Sequence, residues 1–119
     1  QYENSGRRLT VLIGYDGNDE RGAAVENIIK SPKEFTNLVS SKDFAKLLRD
    51  NSWTGHLPDV DLIIRTGCAD DPHNSAGFLS LLVDNSQYAF LDTLWPDFTP
   101  DMLGQTLAGF AKRQRRMGK

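Results

Sequence analysis

Leu57-Pro58-Asp59-Val60-Asp61-Leu62-Ile63-Ile64-Arg65-Thr66-Gly67 decides the fold. Val60 to Thr66 is β-branched and almost continuously apolar, the pattern of a strand covered on both faces. It runs straight into a glycine, so the chain turns sharply where the strand ends. A strand of this kind belongs to a parallel sheet with helices against it.

The flanking sequence agrees. Upstream, Arg8 to Tyr15 (RLTVLIGY) predicts another buried strand, ending in the turn Asp16-Gly17-Asn18. Asp19 to Lys30 then predicts a helix with Ala23, Ala24, Asn27 and Ile28 on one face and acids in its first turn. Ser31-Pro32 ends it. Lys33 to Asn51 predicts helix in two pieces, striped first by Phe35, Leu38 and Val39, then by Phe44, Leu47 and Leu48, with Ser41 as a cap for the second. Downstream, Phe78 to Val83 is too short for periodicity to separate helix from strand. Gln87 to Leu91 predicts a third strand, and Leu94 to Asp97 a turn. The last helix has Thr99 as N-cap, Pro100 in the first position, Asp101 in the first turn and Leu103, Leu107 and Phe110 along one face. The expected class is therefore α/β, a mainly parallel sheet flanked by helices. Three short strands make a thin sheet whose apolar edges need cover from another segment or another chain.

At 119 residues the chain holds one small domain. With 39% hydrophobic and 25% charged residues it has the composition of a folded domain rather than a disordered one. No apolar run approaches the roughly 20 residues of a membrane span, and Gln1 to Arg8 has no signal-peptide apolar core. The first residue is Gln1 rather than Met, as expected of a processed or truncated polypeptide. The single cysteine, Cys68, permits no internal disulfide and favours a reducing compartment. One Cys with His56 and His73 makes no metal cluster. Cys68 itself reads as a small buried thiol, His56 as a loop hydrogen-bonding group, and Asp70-Asp71 as an exposed acidic turn. The net charge of −2 is uneven: Lys112 to Lys119 carries five basic residues, leaving nine basic against sixteen acidic elsewhere, a net of −7. Such a tail suits phosphate, nucleic acid or an anionic membrane surface, or simply the negative end of a helix. It is short and has no interleaved aromatics, which disfavours nucleic acid.

Ligands of open parallel sheets gather where strands end. Here Gly14 to Asp19 and Ile64 to Gly67 are polar and glycine-bearing strand exits. An Arg at such an exit, followed by a hydroxyl and a glycine, can clamp a diphosphate through its planar guanidinium and nearby amides. Taken alone, Arg-Thr-Gly is a weak signal, because an Arg at a strand end is more often a surface ion-pair partner.

Four ordered blocks resemble the cis-prenyltransferase family. Leu57 to Gly67 resembles the signature strand whose Arg holds isopentenyl diphosphate, and Gly14-Tyr15-Asp16-Gly17-Asn18-Asp19-Glu20 resembles Asn-Tyr-Gly-Gly-Arg-Asp-Glu. Asp92-Thr93-Leu94-Trp95-Pro96-Asp97-Phe98 resembles the Leu-Trp-Pro-Asp-Phe block, and Lys112 to Gly118 the basic Arg-x-Gly terminus. The resemblance implies that residues 1–119 are the C-terminal half of a cis-prenyltransferase domain, completed by a missing N-terminal segment or another chain. It implies a transferase that condenses isopentenyl diphosphate with an allylic diphosphate, aided by Mg²⁺. It also implies a homo- or heterodimer located in the cytoplasm or at a membrane surface. Carried across, Arg65 grips isopentenyl diphosphate, Thr66 and Gly67 shape the phosphate pocket, Ser75 matches the family's serine, and Arg116 and Gly118 reach toward a partner subunit's site. Trp95, Pro96 and Phe98 are packing residues.

The sequence also departs from the family. The Asp-Gly-Asn-Gly-Arg-type segment that binds Mg²⁺ and the allylic diphosphate has no counterpart here. Cys68-Ala69 stand where the family has Gly-Glu, and the second phosphate arginine is missing near His73 and Asn74. Phe90 occupies the position of a metal-binding Glu, and a phenyl ring cannot ligate Mg²⁺. These losses suit a second expectation: a non-catalytic subunit of a heteromeric enzyme that lends its terminal Arg116-Met117-Gly118 to an active partner.

Overall fold

The structure, a computed structural model, describes residues 6–31 and 40–113. Its elements run α1 (Gly17–Lys30), α2 (Ser41–Asp50), β1 (Leu62–Thr66), β2 (Gln87–Leu91), a 3-10 turn (Trp95–Asp97) and α3 (Pro100–Ala111). The architecture is α/β. β1 and β2 pair in parallel, Leu62 opposite Gln87 through Thr66 opposite Leu91. The Asp61 carbonyl and the Cys68 amide extend this pairing at its two ends, to the Gln87 amide and the Leu91 carbonyl.

Each helix starts where its side chains can satisfy free backbone amides. Asp16 caps α1 by accepting from the Asn18 amide at 2.7 Å. The cap of α2 is Ser40, one residue before the expected Ser41, because Asp43 lies three residues on and completes a reciprocal capping box. Thr99 caps α3 and Pro100 opens it, as the sequence predicts. The expected helical stripe of Phe35, Leu38 and Val39 lies outside the described residues.

Two expectations are corrected. Arg8 to Tyr15 forms no paired strand, so the described sheet has two strands rather than three. Its alternating apolar side chains face solvent, with Leu9 88%, Val11 68% and Ile13 92% exposed. The sequence has the hydrophobicity of a covered strand, but nothing in the described residues covers it. Phe78 to Val83 is neither helix nor strand but a run of turns. Ala76 (φ 51°) and Leu79 (φ 47°) take left-handed backbone there, which breaks both periodicities.

That turn region still supplies the core. Leu79 and Leu82 are buried with Ala24 and Ile28 of α1, Ile63 of β1 and Ala89 of β2. Val60 reaches it through its amide on the Leu82 carbonyl, 2.9 Å. At the far end Arg113 donates to the Tyr88 carbonyl at 2.8 Å, seating the end of α3 against β2. No buried residue comes from α2 or α3. The radius of gyration, 17.4 Å, exceeds the roughly 13–14 Å of a compact domain of this length. Among the described residues no helix is long and apolar enough to cross a membrane.

Candidate functional site

Parallel pairing delivers the ends of β1 and β2 to one edge of the sheet, and Arg65 is the next-to-last residue of β1. Beside it lies a cleft of about 400 Å³. Arg65, Thr66, Asn74 and Ser75 line its polar part, while Tyr15, Phe78, Ile63 and Ile64 line the rest. The Arg65 guanidinium donates through Nη1 to the His73 carbonyl. Among the described residues no ion pair involves it. A guanidinium that uses one N–H on a neutral carbonyl keeps its charge and further donors for an anion.

Thr66 and Ser75, both hydroxyl residues, line the same cleft. Gly67 does not join them. Its φ of +70° turns the chain out of the strand, and the backbone beyond lines a second hollow with Cys68, Asp70, Asp71, His73 and Asp92. The Thr66-Gly67 pair thus divides between two surfaces. His73 turns its ring toward Asp71, 3.3 Å from the carboxylate, and only its carbonyl serves Arg65. Among the described residues no second arginine lines the cleft. Arg116 and Gly118 lie outside the described residues. Trp95 is 73% exposed and stacks on Phe98 with centroids 6.0 Å apart, so its ring packs on one neighbour rather than into the core.

The donor set does not fit the Mg²⁺ that the resemblance implies. Phe90 lies against Tyr88, rings 5.5 Å apart and nearly parallel. Among the described residues no three His, Cys, Asp or Glu side chains are placed to hold a metal ion together.

One feature of the site escapes the sequence reading. Glu20 is fully buried, and its Oε1 accepts from both the Thr54 amide and the Thr54 hydroxyl, each at 2.7 Å. Its Oε2 accepts from the Tyr15 hydroxyl, which in turn accepts from the Leu79 amide at 3.2 Å. Arg21 reaches Ser80 and Asn18 nearby. Burial opposes ionisation of Glu20, but the bonds from Tyr15 and Thr54 and the Arg21 charge outweigh it and hold the carboxyl below its usual range. Burial and the neighbouring carboxylate push the Tyr15 phenol up to about 12. The signal was present: Glu20, Ala24 and Ile28 recur every four residues on the buried face of α1.

The prenyltransferase family model of undecaprenyl diphosphate synthases matches residues 1–118. The ditrans,polycis-undecaprenyl-diphosphate synthase of Wigglesworthia glossinidia brevipalpis is 32% identical over 121 residues, covering 99% of this chain and 44% of its own length. The isoprenyl transferase of Lactococcus lactis is 31% identical, covering 98% and 46%. A probable undecaprenyl diphosphate synthase from Campylobacter jejuni superposes with a TM-score of 0.66 at 24% identity, over 90% of this chain and 45% of that one. Lavandulyl diphosphate synthase from Lavandula x intermedia, in complex with dimethylallyl diphosphate, superposes at 0.68 and 19%, over 90% and 44%. The chain spans about half the length, or less, of these relatives.

Proposed function

The chain belongs to the prenyltransferase family of undecaprenyl diphosphate synthases, and on that premise we propose that it is the C-terminal half of a cis-prenyltransferase domain, binding isopentenyl diphosphate at Arg65. The observation that carries this reading is the Arg65 guanidinium, held at the exit of β1 beside the cleft with Thr66 and Ser75 and without a carboxylate partner among the described residues. A diphosphate needs such a cluster of donors, and the guanidinium matches its oxygens two at a time. The proposed chemistry is attack of the isopentenyl double bond on an allylic cation as the allylic diphosphate departs, followed by loss of a proton. Stabilising charge at the diphosphates is the main task of the protein. The bare apolar face of Leu9, Val11 and Ile13 supports completion of the domain by a further segment or subunit. The partner in this reading is a cis-prenyltransferase polypeptide, in the cytoplasm or at a membrane surface.

A second reading is favoured by Phe90. With a stacked ring where the resemblance places a metal-binding carboxylate, the chain suits a non-catalytic subunit that lends Arg116 and Gly118 to an active partner. Two substitutions separate the readings. If this chain binds isopentenyl diphosphate for catalysis, Arg65→Ala abolishes prenyl transfer by the assembled enzyme. If it only completes a partner's site, Arg116→Ala abolishes transfer and Arg65→Ala leaves it intact. Transfer that survives both substitutions sinks both readings.

A further inference from the structure

We propose that Glu20 is a positioning residue for the Arg65 cleft, holding Tyr15 so that its ring forms, with Phe78, an aromatic wall for the hydrocarbon part of a small diphosphate ester. The inference rests on the reading of Arg65 above and deepens it.

A buried carboxylate carries a desolvation cost that only several good donors offset. At Glu20 three donors converge: the Thr54 amide, the Thr54 hydroxyl and the Tyr15 phenol. Packing alone does not call for this arrangement. The neighbours of Glu20 on the same face of α1, Ala24 and Ile28, are apolar, and a third apolar residue would close that face. The carboxylate instead ties the residue preceding the α1 cap to the loop carrying Thr54.

The consequence falls on Tyr15. Its proton is committed to Glu20 and its oxygen also accepts from the Leu79 amide, so the hydroxyl is fixed from two sides. A phenol so engaged has no proton to offer a substrate. It presents its ring, which meets Phe78 edge-on with centroids 6.0 Å apart and planes at 87°. Both rings line the cleft that holds Arg65. A cleft with an arginine and hydroxyl residues on one part and, on another, two rings of which one is held by its hydroxyl suits an amphiphile, a diphosphate head with a short apolar tail, better than a bare anion.

The test compares isopentenyl diphosphate with inorganic diphosphate, titrated calorimetrically into the complete protein and its variants. Tyr15→Phe and Glu20→Gln are expected to weaken isopentenyl diphosphate binding about fivefold and leave inorganic diphosphate unchanged, because only the first ligand touches the wall. A merely structural role lowers the binding-competent fraction and so weakens both ligands alike. Equal weakening, or no change in either, overturns the inference. Tyr15→Phe deletes a single oxygen and keeps the ring, so it remains informative should Glu20→Gln fail to fold. Arg65→Ala distinguishes failure of the underlying reading. If isopentenyl diphosphate binds with undiminished affinity without Arg65, or does not bind the wild type, that reading falls and this inference with it.

Discussion

Arg65 and Phe90 are register partners in the parallel ladder, one pair before the strands end, and their side chains leave the same face of the sheet. The arginine proposed to grip a diphosphate thus has as its register partner an aromatic residue, itself stacked on Tyr88. Phe90→Glu would set a carboxylate next to the guanidinium. At a partly exposed site, Coulomb attraction of about 1 kcal/mol then competes with any bound anion. Diphosphate binding is expected to weaken roughly fivefold. Phe90→Ala, which loses the stack but adds no charge, should cost about 1 kcal/mol of stability and leave binding within twofold or so. If both variants bind diphosphate alike, the neighbourhood of Arg65 and Phe90 has no electrostatic consequence for the cleft.

Tyr15 and Glu20 give stability two pH limits with opposite signs. The Glu20 carboxyl titrates below its ordinary value in the folded chain, so its contribution is present above about pH 4.5 and is lost as pH falls through the folded value. The Tyr15 phenol titrates near 12 rather than 10, so its contribution is complete below pH 10 and is lost between 10 and 12. Tyr15→Phe should cost on the order of 1–2 kcal/mol near neutrality, from the hydroxyl's two hydrogen bonds. In denaturant titrations the gap between wild type and Tyr15→Phe should shrink as pH rises past 10. The gap for Glu20→Gln should shrink as pH falls below about 4.5. A gap constant across either limit contradicts the bond between the two residues.

Two glycines of α1 should respond oppositely to alanine. A Cβ on Gly17 would lie 1.9 Å from the Gly77 carbonyl oxygen, and the Gly17 amide already bonds the Ala76 carbonyl at 2.7 Å. Backbone meets backbone there, so the helix start or the turn at 76–77 must move. Gly17→Ala is expected to cost roughly 3 kcal/mol or more. At Gly22 a Cβ meets open space, and alanine there should add about 0.5–1 kcal/mol through helix propensity. Thermal melts of the two single variants check both signs. A Gly17→Ala variant as stable as wild type would mean that α1 does not dock on this turn.

The features legible in the sequence were those set by local chemistry. The Thr99-Pro100 start of α3 and the Val60 to Thr66 run declare themselves through capping and β-branching, whatever lies around them. The Arg65 strand exit followed from the same run. The left-handed backbone and burial of Leu79 have no local signal in the sequence, and its amide bonds Tyr15, 64 residues away. Glu20 shares the buried face of α1 with Ala24 and Ile28, which the spacing shows, but its partner Thr54, 34 residues off, is invisible to local chemistry. The segment from Arg8 to Tyr15 shows the converse. Its hydrophobicity is that of a covered strand, yet among the described residues nothing pairs with it or covers it, so the pattern was legible and the pairing was not.

Ile13 and Ile63 turn that contrast into a measurement. They are the same residue type, each in a run that reads as a covered strand, yet Ile63 is 5% exposed and Ile13 is 92% exposed. Truncation of a buried isoleucine leaves a cavity and costs about 2–5 kcal/mol, whereas truncation of an exposed one stays within about 0.5 kcal/mol. Ile63→Ala should therefore destabilise the isolated chain strongly, and Ile13→Ala hardly at all. The order should change once the polypeptide proposed to complete the domain is added. If that polypeptide covers the Leu9, Val11 and Ile13 face, Ile13→Ala should weaken their association about tenfold or more, as the loss of a buried aliphatic anchor does. An isolated chain in which Ile13→Ala costs as much as Ile63→Ala would already bury this segment by itself, leaving no bare face to complete.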